Sequence, residues 1–325
     1  MPKILLVKTT SMGDVIHNLA VASDIADRVE DAHIDWVVED SFSAIPEMHP
    51  AVKNVIPVAI RQWRKRIYLP ATWGKIRQSL RQLRAGKYDY IIDSQGLLKS
   101  AVIASRANGL VYGQDRDSAR ESLACRFYNY KFHVPRNEHA VTRNRLLAAA
   151  VFGYDINTMP LDYGIEKNFR STASKDSSRK KSIVFLHGTS RESKLWQEQS
   201  WVALGRELGE QFTSVMLPWG NDIEHERAKR LAQKIGNATI APRQGLKELA
   251  TMLARAACVV GVDTGPVHLA VALNRPTVAI YTDTDPALTG VLPMDPARAV
   301  NLGGINNSPA VDDVLQAIRE LVRLG

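Results

Sequence analysis

The chain has 325 residues, 45% hydrophobic and 23% charged, with a formal net charge of +8. That length exceeds one ordinary core and suits two α/β domains, while the composition excludes disordered, collagen-like and coiled-coil classes. The positive balance favours an anionic partner, and no apolar run approaches the ~20 residues of a membrane-spanning helix.

Short β-like runs alternate with helical patterns through the first half. "KILLV" (3–7) precedes a helix expected over about 14–29, "IDWVV" (34–38) a short helix near 41–48, "VIPVA" (55–59) a basic helix, and "YDYIID" (88–93) the helical "GLLKSAVIASRAN". Residues 61–87 hold nine Lys or Arg and no acid. Ile76, Leu80 and Leu83 recur at helical spacing, so part of this charge is the wet face of an amphipathic helix. The "RQWRKR" cluster ahead of it alternates aromatic and cationic side chains and suits either solvation or binding. A polar, Ser/Lys-rich stretch at 157–181 reads as a linker.

The alternation restarts with "SIVFLHG" (182–188), a helix near 198–210, "TSVMLPWG" (213–220), a helix over about 222–235, "ATIAP" (238–242), a helix at 245–256, "CVVGVD" (258–263), a helix at 265–273 and "TVAIY" (277–281). Strands alternating with helices imply doubly wound parallel sheets, hence α/β with two Rossmann-like domains, 1–156 and 182–300, and an amphipathic closing helix within 301–325. Domains of this kind bind ligands at the carboxyl ends of their strands, in a cleft. Cys125 and Cys258 lie in apolar or mixed surroundings and read as reduced core residues. The eight histidines show no metal-ligand spacing. The apolar run after Lys3 is shorter than a secretory h-region, so a cytoplasmic location is expected.

Four polar clusters follow strands. In "KTTSMGDVIH" (8–17), one glycine, Gly13, precedes Asp14; the carboxylate suits a helix cap or, at a strand's end, a general base for a hydroxyl. In "FLHGTSRESKLW", Thr189, Ser190 and Lys194 make a phosphate-friendly turn that lacks a Walker A loop, or a capped helix with an exposed lysine. In "GVDTGPVHLA", Asp263, Thr264, Gly265 and His268 surround a helix N-terminus suited to anions, with Pro266 in the first turn; a capping Asp and a structural His are the plainer readings. In "LPWGNDIEHERAKRLA", Glu224 suits a ribose diol or a solvated helix laced with ion pairs.

The ordered set "VKTTSMGDVIH", "IDWVVED", "VIPVAIRQWRK", "YDYIIDSQGLLKS", "SARESLACRFYN", "FLHGTSRESKLW", "LPWG…E…ERAKRLA" and "VDTGPVHL" resembles the heptosyltransferases of lipopolysaccharide inner-core synthesis over nearly the whole chain. The "TTSMGDVIH" and "RQWRK" forms are closer to the first enzyme of that pathway than to the second. The resemblance implies a GT-B fold and inverting, metal-independent transfer of L-glycero-D-manno-heptose from ADP-heptose to the Kdo of Kdo2-lipid A, with no cofactor. It implies Asp14 as base, Lys194 and Ser190 on the donor's phosphates and sugar, Glu224 on the nucleoside, and Asp263, Thr264, Gly265 and His268 in the donor-binding turn. Gly13 and Thr189 join the donor site, and Gln244 stands where the family often has Met near the adenine. Arg61, Arg64, Lys65, Arg66 and Arg120 then hold the acidic acceptor, with Trp63 at an anionic inner-membrane surface on its cytoplasmic side. Heptosyltransferase II and a sugar-nucleotide epimerase are the neighbouring readings; a nucleic-acid-binding protein fits the charge but shows no recognition motif.

Overall fold

The structure is a computed structural model and describes residues 1–66, 68–170, 182–209 and 211–323. It divides into two compact units, 1–164 and 165–325. Of the expected linker, residues 171–181 lie outside the described residues, as do the last two residues of the expected closing segment.

The first unit is one parallel sheet of β1 (Lys3–Val7), β2 (His33–Glu39), β3 (Val52–Val58), β4 (Lys87–Asp93), β5 (Asn108–Gln114) and β6 (Tyr130–Phe132), in the order β3-β2-β1-β4-β5-β6. Strands covered on both faces need side chains that are apolar on both, and Ile4, Leu5, Leu6 and Val7 are all fully buried. Each such side chain contributes roughly 1.5–3 kcal/mol by leaving water. The basic helix Pro70–Ala85 closes over this core through Leu83, with Leu80 packed at its edge.

The second unit repeats the design with β7 (Ile183–Leu186), β8 (Val215–Leu217), β9 (Ala238–Ile240), β10 (Cys258–Val262), β11 (Thr277–Tyr281) and β12 (Ala299–Gly303), in the order β12-β11-β10-β7-β8-β9. All its pairings are parallel. The C-terminal helix Val311–Arg323 docks on this unit's own core through Val314, Ile318 and Leu321. Both sheets are Rossmann-like, as the alternation implies.

Each order reverses between two central neighbours, β1 and β4 in the first sheet and β7 and β10 in the second. Connections leaving such a pair diverge to opposite faces and open a crevice at the strands' carboxyl ends. The loops after β1, β4, β7 and β10 are therefore where ligand chemistry belongs.

Several local expectations are corrected. The helix expected over 14–29 is two helices, Met12–His17 and Leu19–Arg28, separated at Asn18, whose side chain accepts a 2.8 Å bond from Ser94. Gly13 lies inside the first of these helices, and the polar residues 8–11 make the turn after β1. "RQWRKR" forms a short helix of its own, Ile60–Lys65. β5, β6, β12 and the helix Ala140–Phe152 have no counterpart in the sequence reading.

Candidate functional site

At the switch point of the first sheet, Ser11 caps the helix Met12–His17, and Asp14 occupies its third position. The Asp14 carboxylate accepts from the Ser11 backbone N–H at 2.9 Å and the Ser11 hydroxyl at 3.0 Å, both through Oδ2. The capping reading of Asp14 is therefore correct as far as it goes. A cap alone does not account for the rest of its surroundings. Arg120 reaches the same Oδ2 at 3.4 Å, and Lys8 lies buried at the end of β1, donating to the Ser94 carbonyl at 2.8 Å and to Asn144 Oδ1 at 3.2 Å.

These charges oppose one another. Burial pushes the Asp14 carboxyl up, but Lys8 first, then Arg120, the Ser11 N–H and His17 outweigh it and hold the group at about 2. Burial in turn pulls Lys8 down to about 8, with Asp14 resisting that fall and Arg120 adding to it. Two further cations lie beside Arg120. Arg143 donates to the Ser118 carbonyl at 2.9 Å and Arg136 to the Ala119 carbonyl, so consecutive carbonyls tether two guanidiniums beside Arg120. Burial and then the charges of Arg120 and Arg136 lower Arg143's affinity for its proton. The result is one carboxylate beside Lys8 and Arg120, with Arg136 and Arg143 next to Arg120.

Arg61, Arg64, Lys65 and Arg66 are exposed, and the Arg61 backbone N–H donates to Glu39 Oε1 at 3.2 Å. Trp63 corrects an expectation: it is half-buried against the core, not presented outward. The exposed aromatic residues of this segment are Tyr68 and Trp73, 77% and 49% accessible.

The second unit carries its site at the equivalent switch point. Lys194, in a 3-10 turn after β7, places Nζ 2.6 Å from Asp263 Oδ2 just past β10. The Thr189 hydroxyl donates to the Asp263 carbonyl at 2.9 Å. Thr264 caps the helix Gly265–Ala272 without using its side chain, and Pro266 fills the first turn, where a missing N–H costs nothing. His268 is buried in that helix; Ser190 is exposed and Gln244 half-buried. Lys194 is thus not the exposed lysine of the plainer reading.

Glu224 starts the helix Asp222–Lys234 and accepts from the Gly220 N–H at 2.7 Å. It lies against Gly188, where a Cβ would stand 2.6 Å from Glu224 Cδ. The ion pairs of this helix run from Glu226 to Lys229 and from Arg230 to Glu198, leaving Glu224 turned to the loop after β7. The second site so joins Gly188, Thr189, Lys194, Glu224, Asp263 and Thr264.

Sequence reasoning missed Lys8, Arg136 and Arg143. Lys8 stands in a quoted motif but reads as the polar start of a loop; the arginines give no local signal, because only the fold brings them beside Arg120. Among the described residues no group of three or more His, Cys, Asp or Glu is placed to hold a metal, and no helix is long and apolar enough to cross a membrane.

Residues 76–317 match the family model of "Glycosyltransferase family 9 (heptosyltransferase)". Lipopolysaccharide heptosyltransferase 1 of Escherichia coli K12 is 43% identical over 290 residues, 89% of this chain and 90% of that one. Among solved structures, E. coli heptosyltransferase WaaC with ADP matches with a TM-score of 0.92 and 39% identity, over 98% of this chain and 99% of the other. The structure of WaaC with ADP-2-deoxy-2-fluoro heptose matches with a TM-score of 0.89 and 38% identity, at the same coverage.

Proposed function

The chain belongs to glycosyltransferase family 9 and is a heptosyltransferase of lipopolysaccharide core biosynthesis with a GT-B fold; from that premise we propose that it transfers L-glycero-D-manno-heptose from ADP-heptose to the Kdo of Kdo2-lipid A, inverting the anomeric centre without a metal. The observation that carries this reading is the Asp14 carboxylate, ionised beside Lys8 and Arg120. Such a group accepts a proton from a hydroxyl that belongs to an acidic molecule.

At about 2, Asp14 by itself is a weak base. An acceptor bringing carboxylate and phosphate groups draws Arg120 and its neighbours onto itself, and closing over the site excludes water. Both changes raise the Asp14 carboxyl toward the range in which proton transfer is efficient, so the substrate strengthens its own base. General-base assistance of this kind is worth about 10²- to 10⁴-fold in rate.

On the donor side, Lys194 and the N–H groups at Thr264–Gly265 neutralise charge gathering on the leaving diphosphate. Asp263 holds Lys194 in place until phosphate arrives. Glu224 accepts from the ribose, Thr189, Ser190 and Gly13 serve the sugar and phosphates, Gln244 stands near the adenine, and His268 supports the turn from within its helix. The solved relatives with ADP and with a fluorinated ADP-heptose support this donor.

Arg61, Arg64, Lys65 and Arg66 extend the cationic surface toward acidic head groups, while Tyr68 and Trp73, the exposed aromatics, meet the membrane interface. This supports peripheral residence on an anionic, cytoplasmic membrane face. The test is ADP release from ADP-heptose, followed with and without Kdo2-lipid A. Release that requires the acceptor and yields a heptosylated product is expected; equal release without acceptor contradicts transfer.

A further inference from the structure

The loop between β1 and Asp14 has a backbone accounting problem that one side chain solves. β1 and β4 are paired up to Val7 and Asp93, and beyond that the strands diverge. Thr9 and Thr10 are nonetheless buried, so their N–H and C=O groups need partners other than water. The Thr9 carbonyl accepts from the Glu39 N–H at 3.1 Å. The remaining groups turn to Gln95. Its Oε1 accepts from the Thr9 N–H at 2.6 Å, the Thr9 hydroxyl at 2.8 Å and the Thr10 N–H at 3.2 Å, while its Nε2 donates to the Thr10 carbonyl and, at 3.2 Å, to the Thr10 hydroxyl.

A primary amide offers the donor and acceptor of a peptide unit in one plane. Gln95 so continues the ladder with its side chain where β4's main chain has turned away. That turn is itself fixed: the Gln95 N–H donates to Asp93 Oδ1 at 2.9 Å, and Asp93, fully buried, also accepts from Tyr128 at 2.8 Å and Ser100 at 2.9 Å. Gly96 follows at φ +65° with its carbonyl accepting from the Glu121 N–H at 2.9 Å, and a Cβ there would stand 3.3 Å from the Arg120 N.

The turn at Gln95 therefore reaches the neighbour of one hydrogen-bond partner of Asp14 and the main chain of the other. It grips Thr10, one residue before the Ser11 that caps the carboxylate, and it abuts the main chain of Arg120. We infer that Gln95 is a positioning residue for the Asp14 base, fixing Ser11 and Arg120 around the carboxylate; this rests on the reading of Asp14 as base.

The test compares Gln95→Leu and Gln95→Glu with Leu83→Ala, a core substitution in the basic helix Pro70–Ala85, and with Asp14→Asn. Turnover per folded molecule, ADP affinity, melting temperature and the pH profile of kcat/KM are measured for each. Gln95→Leu is expected to lower kcat about 10- to 100-fold, the cost of misplacing a reacting group by about 1 Å. ADP affinity stays unchanged, and the acid limb moves to higher pH as the Ser11 N–H loosens from Asp14. Gln95→Glu keeps the acceptor for three donors but turns a second acceptor on the Thr10 carbonyl, so its kcat falls between the two. Leu83→Ala lowers the melting temperature alone. Should Gln95→Leu fail to fold, Gln95→Glu carries the test by itself, and wild-type kcat there overturns the inference. Wild-type turnover per folded molecule in Gln95→Leu, or a loss appearing in ADP affinity, overturns it too. If Asp14→Asn is slow while Gln95→Leu is not, positioning alone fails; if Asp14→Asn turns over like wild type, the base assignment fails and takes positioning with it.

Discussion

Lys194 and Asp263, 69 residues apart in sequence, meet at 2.6 Å with both side chains largely shielded. The pair holds an ammonium at a helix N-terminus, and in the proposed reaction an arriving diphosphate would replace the carboxylate as its partner. Lys194→Met is expected to lower kcat about 10²- to 10³-fold, the usual cost of deleting one donor that stabilises developing charge. ADP titration and steady-state kinetics on the same preparation check this. Unchanged kcat removes Lys194 from the leaving-group role.

A side chain at Gly188 would displace Glu224, because its missing Cβ faces the Glu224 carboxyl carbon at 2.6 Å. Gly188→Ala should push Glu224 out of place, weakening ADP binding by about 0.5–1.5 kcal/mol, the net worth of one hydrogen bond. Acceptor KM should not change. Calorimetric titration with ADP decides the matter, since an unaltered affinity detaches Glu224 from the nucleoside.

Much of the architecture is legible in the residues because the strands are buried on both faces: "KILLV" and "TVAIY" are hydrophobic after their first residue and match β1 and β11 residue for residue. β5 escapes notice because "NGLVYGQ" carries two glycines and an asparagine, poor strand formers, and is held by pairing with β4 and β6. The helix Ala140–Phe152 is apolar on several sides and shows no periodic stripe, so it reads as an undivided run.

The site was legible in one respect and hidden in another. Asp14, Lys194, Glu224 and Asp263 could be singled out because each follows a strand. Lys8 could not, since nothing local marks a lysine as buried, and its burial depends on Ser94 and Asn144 arriving from elsewhere. Trp63 was misread for the same reason: an aromatic among cations looks exposed until the core beneath it is known.

Lys8 gives a pH signature. Its proton is held at about 8 in the folded chain against an ordinary 10.5, chiefly through burial. Between those values the unfolded chain binds the extra proton, so this group makes stability rise with pH across that window. Lys8→Met should flatten that rise. It also removes the largest cationic influence on Asp14, whose carboxyl should climb from about 2 toward the ordinary 3.8. Denaturation curves from pH 7 to 11 test the first effect and a carbon-13 titration of Asp14 the second. A persisting rise, or a carboxyl still near 2, contradicts the pairing of these charges.

The most direct measurement is the single-turnover rate of Asp14→Asn with ADP-heptose and Kdo2-lipid A. The amide oxygen still accepts from Ser11, so the helix cap and the fold survive, while the basic oxygen is gone. A rate reduced about 10²- to 10⁴-fold with ADP affinity retained is the predicted result. A rate equal to that of the unaltered enzyme contradicts the claim that this carboxylate takes the acceptor's proton.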